Sequence, residues 1–131
     1  MNSGRILVID DDPLLRRLTA RLLSAGGFEL ATAADGSEGL RLIREGEPFD
    51  AVICDLLMPG ISGFEVVREL RKDPRFMELP ILVLTSQGMN KDRDEALESG
   101  ADQYMTKPFS SFELMESLSQ LLETDRRKKA S

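Results

Sequence analysis

The sequence predicts an α/β fold in which short parallel strands alternate with crossover helices. Short apolar, β-branched-rich runs recur, among them Ile6-Leu7-Val8-Ile9, Ala51-Val52-Ile53-Cys54 and Ile81-Leu82-Val83-Leu84. Between them lie stretches whose apolar residues fall at three- and four-residue spacings, the period of a helix packed on one face. Four runs also stop at or beside a carboxylate, a hydroxyl or an ammonium: at Asp10-Asp11-Asp12, at Asp55, at Thr85-Ser86 and, after Tyr104-Met105-Thr106, at Lys107-Pro108. Parallel strands present their C-terminal ends on one edge of a sheet, so these stops converge on one crevice, where open α/β sheets bind ligands. Asp, Asp, Asp, Thr and Lys gathered there suit a divalent cation and a phosphoryl group.

Each element has its own local reason. The first strand is expected at about 5–9. Asp12 reads as the N-cap of a helix reaching residue 24, with Pro13 in the first turn, where a missing N–H is harmless. Leu14, Leu18 and Leu22 mark the expected inner face of that helix, and Gly26-Gly27 ends it. A second strand at 28–32 is the weakest by pattern. A helix opening at Asp35 or Ser37 runs through Leu40 and Ile43 to near Gly46. The third strand, 49–54, is nearly all apolar, as a strand covered on both faces should be. Met58-Pro59-Gly60 signals a turn, and Ser62 then caps a helix at 63–71. Pro80 leads into the fourth strand, a polar fourth helix is expected at about 90–99, and the fifth strand at 101–105. The fifth helix, 110–123, carries Leu114, Met115, Leu118, Leu121 and Leu122 on one stripe. Residues 1–124 thus read as one domain, and 125–131 as a charged tail or linker stub.

Composition excludes several classes. The chain has 131 residues, 41% hydrophobic and 31% charged, which is ordinary for a soluble domain with a real core. Seventeen basic against 23 acidic residues give a net charge of −6, which argues against a general nucleic-acid or membrane-surface binder. No secretory signal is read at the N-terminus, so the cytoplasm is the expected compartment. The single cysteine, Cys54, excludes an internal disulfide and any multi-thiolate metal site. Standing beside Asp55 on an alternating strand, it is expected to pack on the opposite side of the sheet. The absence of histidine removes imidazole base, zinc-ligand and phosphohistidine chemistry together.

Four motifs in order carry a family resemblance that spans residues 5 to about 123: Ile9-Asp10-Asp11-Asp12-Pro13; Asp55-Leu56-Leu57-Met58-Pro59-Gly60 with Gly63 following; Leu84-Thr85-Ser86; and Lys107-Pro108-Phe109. Each alone is weak, since an Asp after a strand is commonly a cap or turn residue. Together, at strand ends, they are specific. The chain resembles a response-regulator receiver domain of two-component signalling, similar to the chemotaxis response regulator. The resemblance implies a doubly wound, flavodoxin-like sheet of five parallel strands in the order 2-1-3-4-5. It implies that Asp55 is the phosphoacceptor, assisted by Thr85 and Lys107. It implies a metal site of Asp10, Asp11, Asp55 and the backbone carbonyl of Leu57, with Asp11 a direct ligand and Asp10 acting largely through water. Mg²⁺ is the expected cation and Mn²⁺ the alternative; oxygen ligands and bridging to phosphate oxygens suit Mg²⁺. Thr85 and Tyr104 are the implied switch pair, weighed against Tyr104 as a plain half-buried tyrosine. A cis Lys107–Pro108 peptide is implied as well.

The implied partners are a separate histidine kinase or histidine phosphotransfer protein docking near helix one, around Leu14, Leu15, Arg16 and Arg17, and a downstream target or fused effector domain. A homodimer through the helix 4–strand 5–helix 5 face is a further implied contact. Neither nucleic acid nor membrane is an expected direct partner. The expected role is a signalling switch, not an enzyme beyond assisting its own phosphorylation and dephosphorylation. Other classes fit less well. An aspartyl-phosphate phosphatase pairs its nucleophile with a second Asp two residues on, where this chain has Leu57. A flavodoxin-like cofactor binder needs a phosphate loop where this chain has three aspartates. A pseudo-receiver, a binding module that is never phosphorylated, is opposed by the complete site. Leu57 and Gln87, two residues past Asp55 and Thr85, stand where many relatives carry more polar groups, and an apolar Leu57 implies slow self-dephosphorylation.

Overall fold

A computed structural model of the chain describes residues 4–85 and 98–130. Its elements are β1 (Arg5–Ile9), α1 (Pro13–Ala25), β2 (Glu29–Ala33), α2 (Gly36–Glu45), β3 (Ala51–Asp55), α3 (Gly63–Lys72), β4 (Ile81–Thr85), β5 (Gln103–Thr106) and a C-terminal helix, α4 (Ser111–Ala130). The strands form one parallel sheet in the order β2-β1-β3-β4-β5, as expected. The fourth helix expected at 90–99, and with it Ser86 and Gln87, lies largely outside the described residues.

Strand periodicity sorts the core into two layers. Leu7, Ile9, Val52, Cys54, Ile81 and Val83 pack with Leu40 and Ile43 of α2 and Val66, Val67 and Leu70 of α3. Ile6, Val8, Ala51, Ile53, Leu82, Leu84 and Met105 pack on the other face with Leu23 of α1 and Leu114, Leu118 and Leu121 of α4. Every residue of β3 and β4 is buried, which explains their unbroken apolar runs. β2 is an edge strand exposed on one side, which explains its weak pattern.

Helix starts follow the expected caps. Asp12 accepts from the Leu14 and Leu15 N–H groups, Asp35 from Glu38, and Ser62 from Glu65. Ser110 and Glu113 form a reciprocal capping box at the start of α4. Two expectations change. The inner face of α1 is made by Thr19 and Leu23, with Leu15 and Leu22 half-buried, whereas Leu14 and Leu18 are 74% and 52% exposed. Leucines at 14, 15, 18, 22 and 23 offer two candidate stripes, and spacing alone does not choose between them. The other change is at the C-terminus: α4 continues to Ala130, so its backbone is helical through most of the expected charged tail.

Candidate functional site

The carboxyl ends of β1, β3, β4 and β5 deliver the site residues to one edge. Register pairs Ile9 with Cys54, so Asp10 and Asp55 leave neighbouring strands at the same height. Asp55 pairs with Leu84, and Thr85 stands one residue beyond. Thr85 in turn pairs with Thr106, and its carbonyl accepts from the Lys107 N–H at 2.7 Å. Lys107–Pro108 is cis, as expected. The Lys107 Nζ lies 3.0 Å from Asp55 Oδ1 and 3.4 Å from Asp10 Oδ2.

Asp10, Asp11 and Asp55 each offer a carboxylate oxygen, and these oxygens lie within 4.8 Å of one another. Asp10 is fully buried and Asp55 nearly so. One lysine set against three carboxylates leaves negative charge unneutralised. The Asp55 carboxyl is pushed up from an ordinary 3.8 to about 6. Burial is the main cause; the Lys107 hydrogen bond and charge oppose it, and the charges of Asp10 and Asp11 add to it. An all-oxygen, anionic, partly buried cluster fits a hard divalent cation.

The three carboxylates are not equivalent. Asp10 Oδ1 accepts from the Asp12 N–H at 3.0 Å and Oδ2 faces Lys107, so both oxygens are engaged. Asp11 makes no hydrogen bond or ion pair among the described residues. Its carboxylate is thus the least engaged of the three among the described residues. Asp12 is engaged as the α1 cap, the role expected of it. Leu57 lies in the β3–α3 loop with its side chain 67% exposed. That loop is pressed close to α3: a Cβ on Gly63 would meet the Asp55 carbonyl oxygen at 2.5 Å. Gly60, with φ +79°, makes the predicted turn. Thr85 is buried, and Tyr104 is half-buried against the α2/α3 core layer. Cys54 packs in that layer, on the opposite side of the sheet from Asp55, and burial pushes its thiol up.

Two residues of consequence were not singled out from sequence. Arg16, read there only as part of the α1 surface, donates from Nη1 to the Asp10 carbonyl at 2.7 Å. The signal was its place one turn into the helix, since helical side chains lean toward the N-terminus. Arg71 joins four acceptors on the opposite edge of the sheet.

Comparison with known proteins agrees with this architecture. Residues 6–119 match the family model described as the response regulator receiver domain. The chain is 40% identical over 123 residues to the DNA-binding dual master transcriptional regulator RpaA of Synechocystis, covering 93% of this chain and 51% of that protein. It spans about half the length of the curated relatives it matches. Chemotaxis response regulator CheY4 of Vibrio cholerae superposes with a TM-score of 0.86 at 32% identity, covering 92% of this chain and 99% of that one. The receiver domain of a Pseudomonas aeruginosa sensor histidine kinase superposes with a TM-score of 0.85 at 27% identity, covering 93% and 99%, and its structure has a magnesium ion coordinated in the active site cleft.

Proposed function

The chain belongs to the response-regulator receiver family, and from that premise we propose that Asp55 accepts a phosphoryl group from a phosphohistidine of a separate kinase or phosphotransfer protein. The observation that carries this reading is the convergence of Asp10, Asp11, Asp55 and Lys107 on one edge of the sheet, with Lys107 Nζ 3.0 Å from Asp55. The 131 residues contain no histidine, so a phosphohistidine donor lies outside them.

Asp55 attacks phosphorus with a carboxylate oxygen as the donor's P–N bond breaks. A carboxylate is a weak nucleophile, but phosphoryl transfer needs positioning and charge stabilisation more than covalent help. Lys107 supplies a compact positive charge to the phosphoryl oxygens, and the Thr85 hydroxyl donates to another. Asp11, Asp55 and the Leu57 carbonyl would hold Mg²⁺, with Asp10 acting through water; Mn²⁺ would suit the same oxygens. When bound, the cation neutralises charge that builds on the transferred group. Phosphorylation then draws Thr85 and Lys107 toward the new anion and lets Tyr104 repack, altering the face formed by β5, α4 and the expected fourth helix. That face acts on a target protein, a fused effector domain or a second copy. The length and name of the Synechocystis relative support transcriptional output. Exposed Leu14 and Leu18 beside Arg17 on α1 support docking of the phosphodonor there.

Among the described residues no helix is long and apolar enough to cross a membrane, and a cytoplasmic switch without turnover of an outside substrate is the role proposed. Incubation with acetyl phosphate, read by intact mass, tests it. Wild type gains one phosphate with Mg²⁺ and none with EDTA, and Asp55→Asn gains none. A gain that survives Asp55→Asn would overturn the assignment, and no gain despite Mg²⁺ binding would favour a pseudo-receiver.

A further inference from the structure

Asp10 is held at every polar atom. Its N–H donates to the Ala33 carbonyl at 3.1 Å, Oδ1 accepts from Asp12, Oδ2 faces Lys107, and its carbonyl accepts from Arg16 at 2.7 Å. Asp11, one residue on, has no side-chain hydrogen bond or ion pair among the described residues. Its direction is therefore set by the backbone that carries it. The Asp10 carbonyl belongs to the planar Asp10–Asp11 peptide, so a group that fixes this oxygen fixes the plane from which the Asp11 side chain departs. Arg16 is that group. The neighbouring Pro13 and the Asp12 cap set the phase of the first turn, and Arg16 reaches back over it to the strand end.

We propose that Arg16 is a positioning residue for the metal site, aiming Asp11 by clamping the Asp10 carbonyl. The inference rests on Asp11 being a direct ligand of Mg²⁺. The geometry is that of a clamp: the guanidinium is bonded to a backbone carbonyl and forms no ion pair with Asp10, Asp11 or Asp55. A cation beside a metal site also repels the metal, so the two explanations differ in sign. If Arg16 acted as a charge, removing it would tighten Mg²⁺ binding; if it acts as a clamp, removing it weakens binding.

The test is Mg²⁺ titration of ¹⁵N-labelled protein, followed by amide shifts around Asp12 and Asp55, with melting curves in EDTA for each variant. Arg16→Met is expected to weaken Mg²⁺ about tenfold, the usual loss when an outer partner of a ligand is removed. Arg16→Lys keeps a donor of similar reach and recovers most of that loss. Arg21→Met removes the same charge from an exposed position on α1 and leaves affinity unchanged or slightly tighter. Arg16→Met binding as tightly as wild type, or more tightly, overturns the proposal, as does failure of Arg16→Lys to rescue. Equal weakening by Arg21→Met overturns it too. Wild type that binds no Mg²⁺ overturns the metal assignment itself and this inference with it. The EDTA melts, together with native-like amide spectra, separate loss of affinity from loss of fold.

Discussion

Leu57 sits two residues past Asp55, in the loop that leaves the acidic cluster, and is exposed. An isobutyl group there cannot orient water toward a phosphoryl group on Asp55. Leu57→Asn is therefore expected to shorten the aspartyl-phosphate lifetime about two- to tenfold, well below the effect of a true general base. Decay followed by intact mass checks this, and equal lifetimes would rule it out. Thr19 offers a stability test at the same scale. It is 1% exposed on the inner face of α1, and its Oγ1 has no hydrogen-bond partner among the described residues. Thr19→Val keeps the shape and removes a desolvated hydroxyl, so a gain of about 1 kcal/mol in urea unfolding is expected. An unchanged or lower midpoint would mean that the hydroxyl is satisfied after all. At this scale the sequence was readable wherever a residue type has one dominant use: Asp12 and Ser62 as caps, Gly60 in a turn, Cys54 as packing. Arg16 was not, because a long cation on a helix has many destinations, and only tertiary geometry brings its guanidinium to a backbone carbonyl.

Among elements, β1, β3 and β4 were legible because their burial is two-sided and their apolar runs continuous. α1 was legible in extent but not in rotation, since its leucines satisfy two helical stripes and only packing against β1 and α4 selects one. The α3–β4 and pre-β5 connections carried no signal at all, yet one side chain ties them together. Arg71 donates to the carbonyls of Phe76, Leu79 and Gly100 and to Asp102, whose carboxylate also accepts from the Ile81 N–H. The Arg71 side chain is only 18% exposed. The clamp ties together the segments that lead into the N-terminal ends of β4 and β5, the ends opposite the acidic cluster. Arg71→Met removes a donor from three carbonyls and a carboxylate, of which Phe76 keeps the Leu79 N–H and Asp102 the Ile81 N–H, and is expected to cost about 2–3 kcal/mol in denaturant unfolding. Arg71→Lys should recover less than half, because an ammonium cannot fork to several acceptors at once. Full recovery by lysine would show that charge alone matters there.

For the molecule as a whole, the site trades stability for readiness to bind a cation. The Asp55 carboxyl is raised to about 6 in the fold against an ordinary 3.8. Above pH 6 the group is ionised in both folded and unfolded chains, and the fold bears the full penalty of a buried anion. Below pH 3.8 it is protonated in both states, and the penalty is gone. Between those values the folded chain takes up its proton first, so this group's contribution to stability rises as pH falls through the window. In EDTA at pH 7.5, Asp55→Asn should be more stable than wild type by about 1–2 kcal/mol, with the difference shrinking toward pH 4.5. Mg²⁺ should reverse the order. A cation that binds the folded state stabilises it as the logarithm of its concentration over Kd, and the variant lacks one of the anionic ligands. Melting curves of both proteins across pH, with EDTA and with saturating Mg²⁺, check both limbs. If wild type were already the more stable at pH 7.5 without metal, Lys107 would be neutralising the cluster by itself. A cation would then have no unbalanced charge to answer.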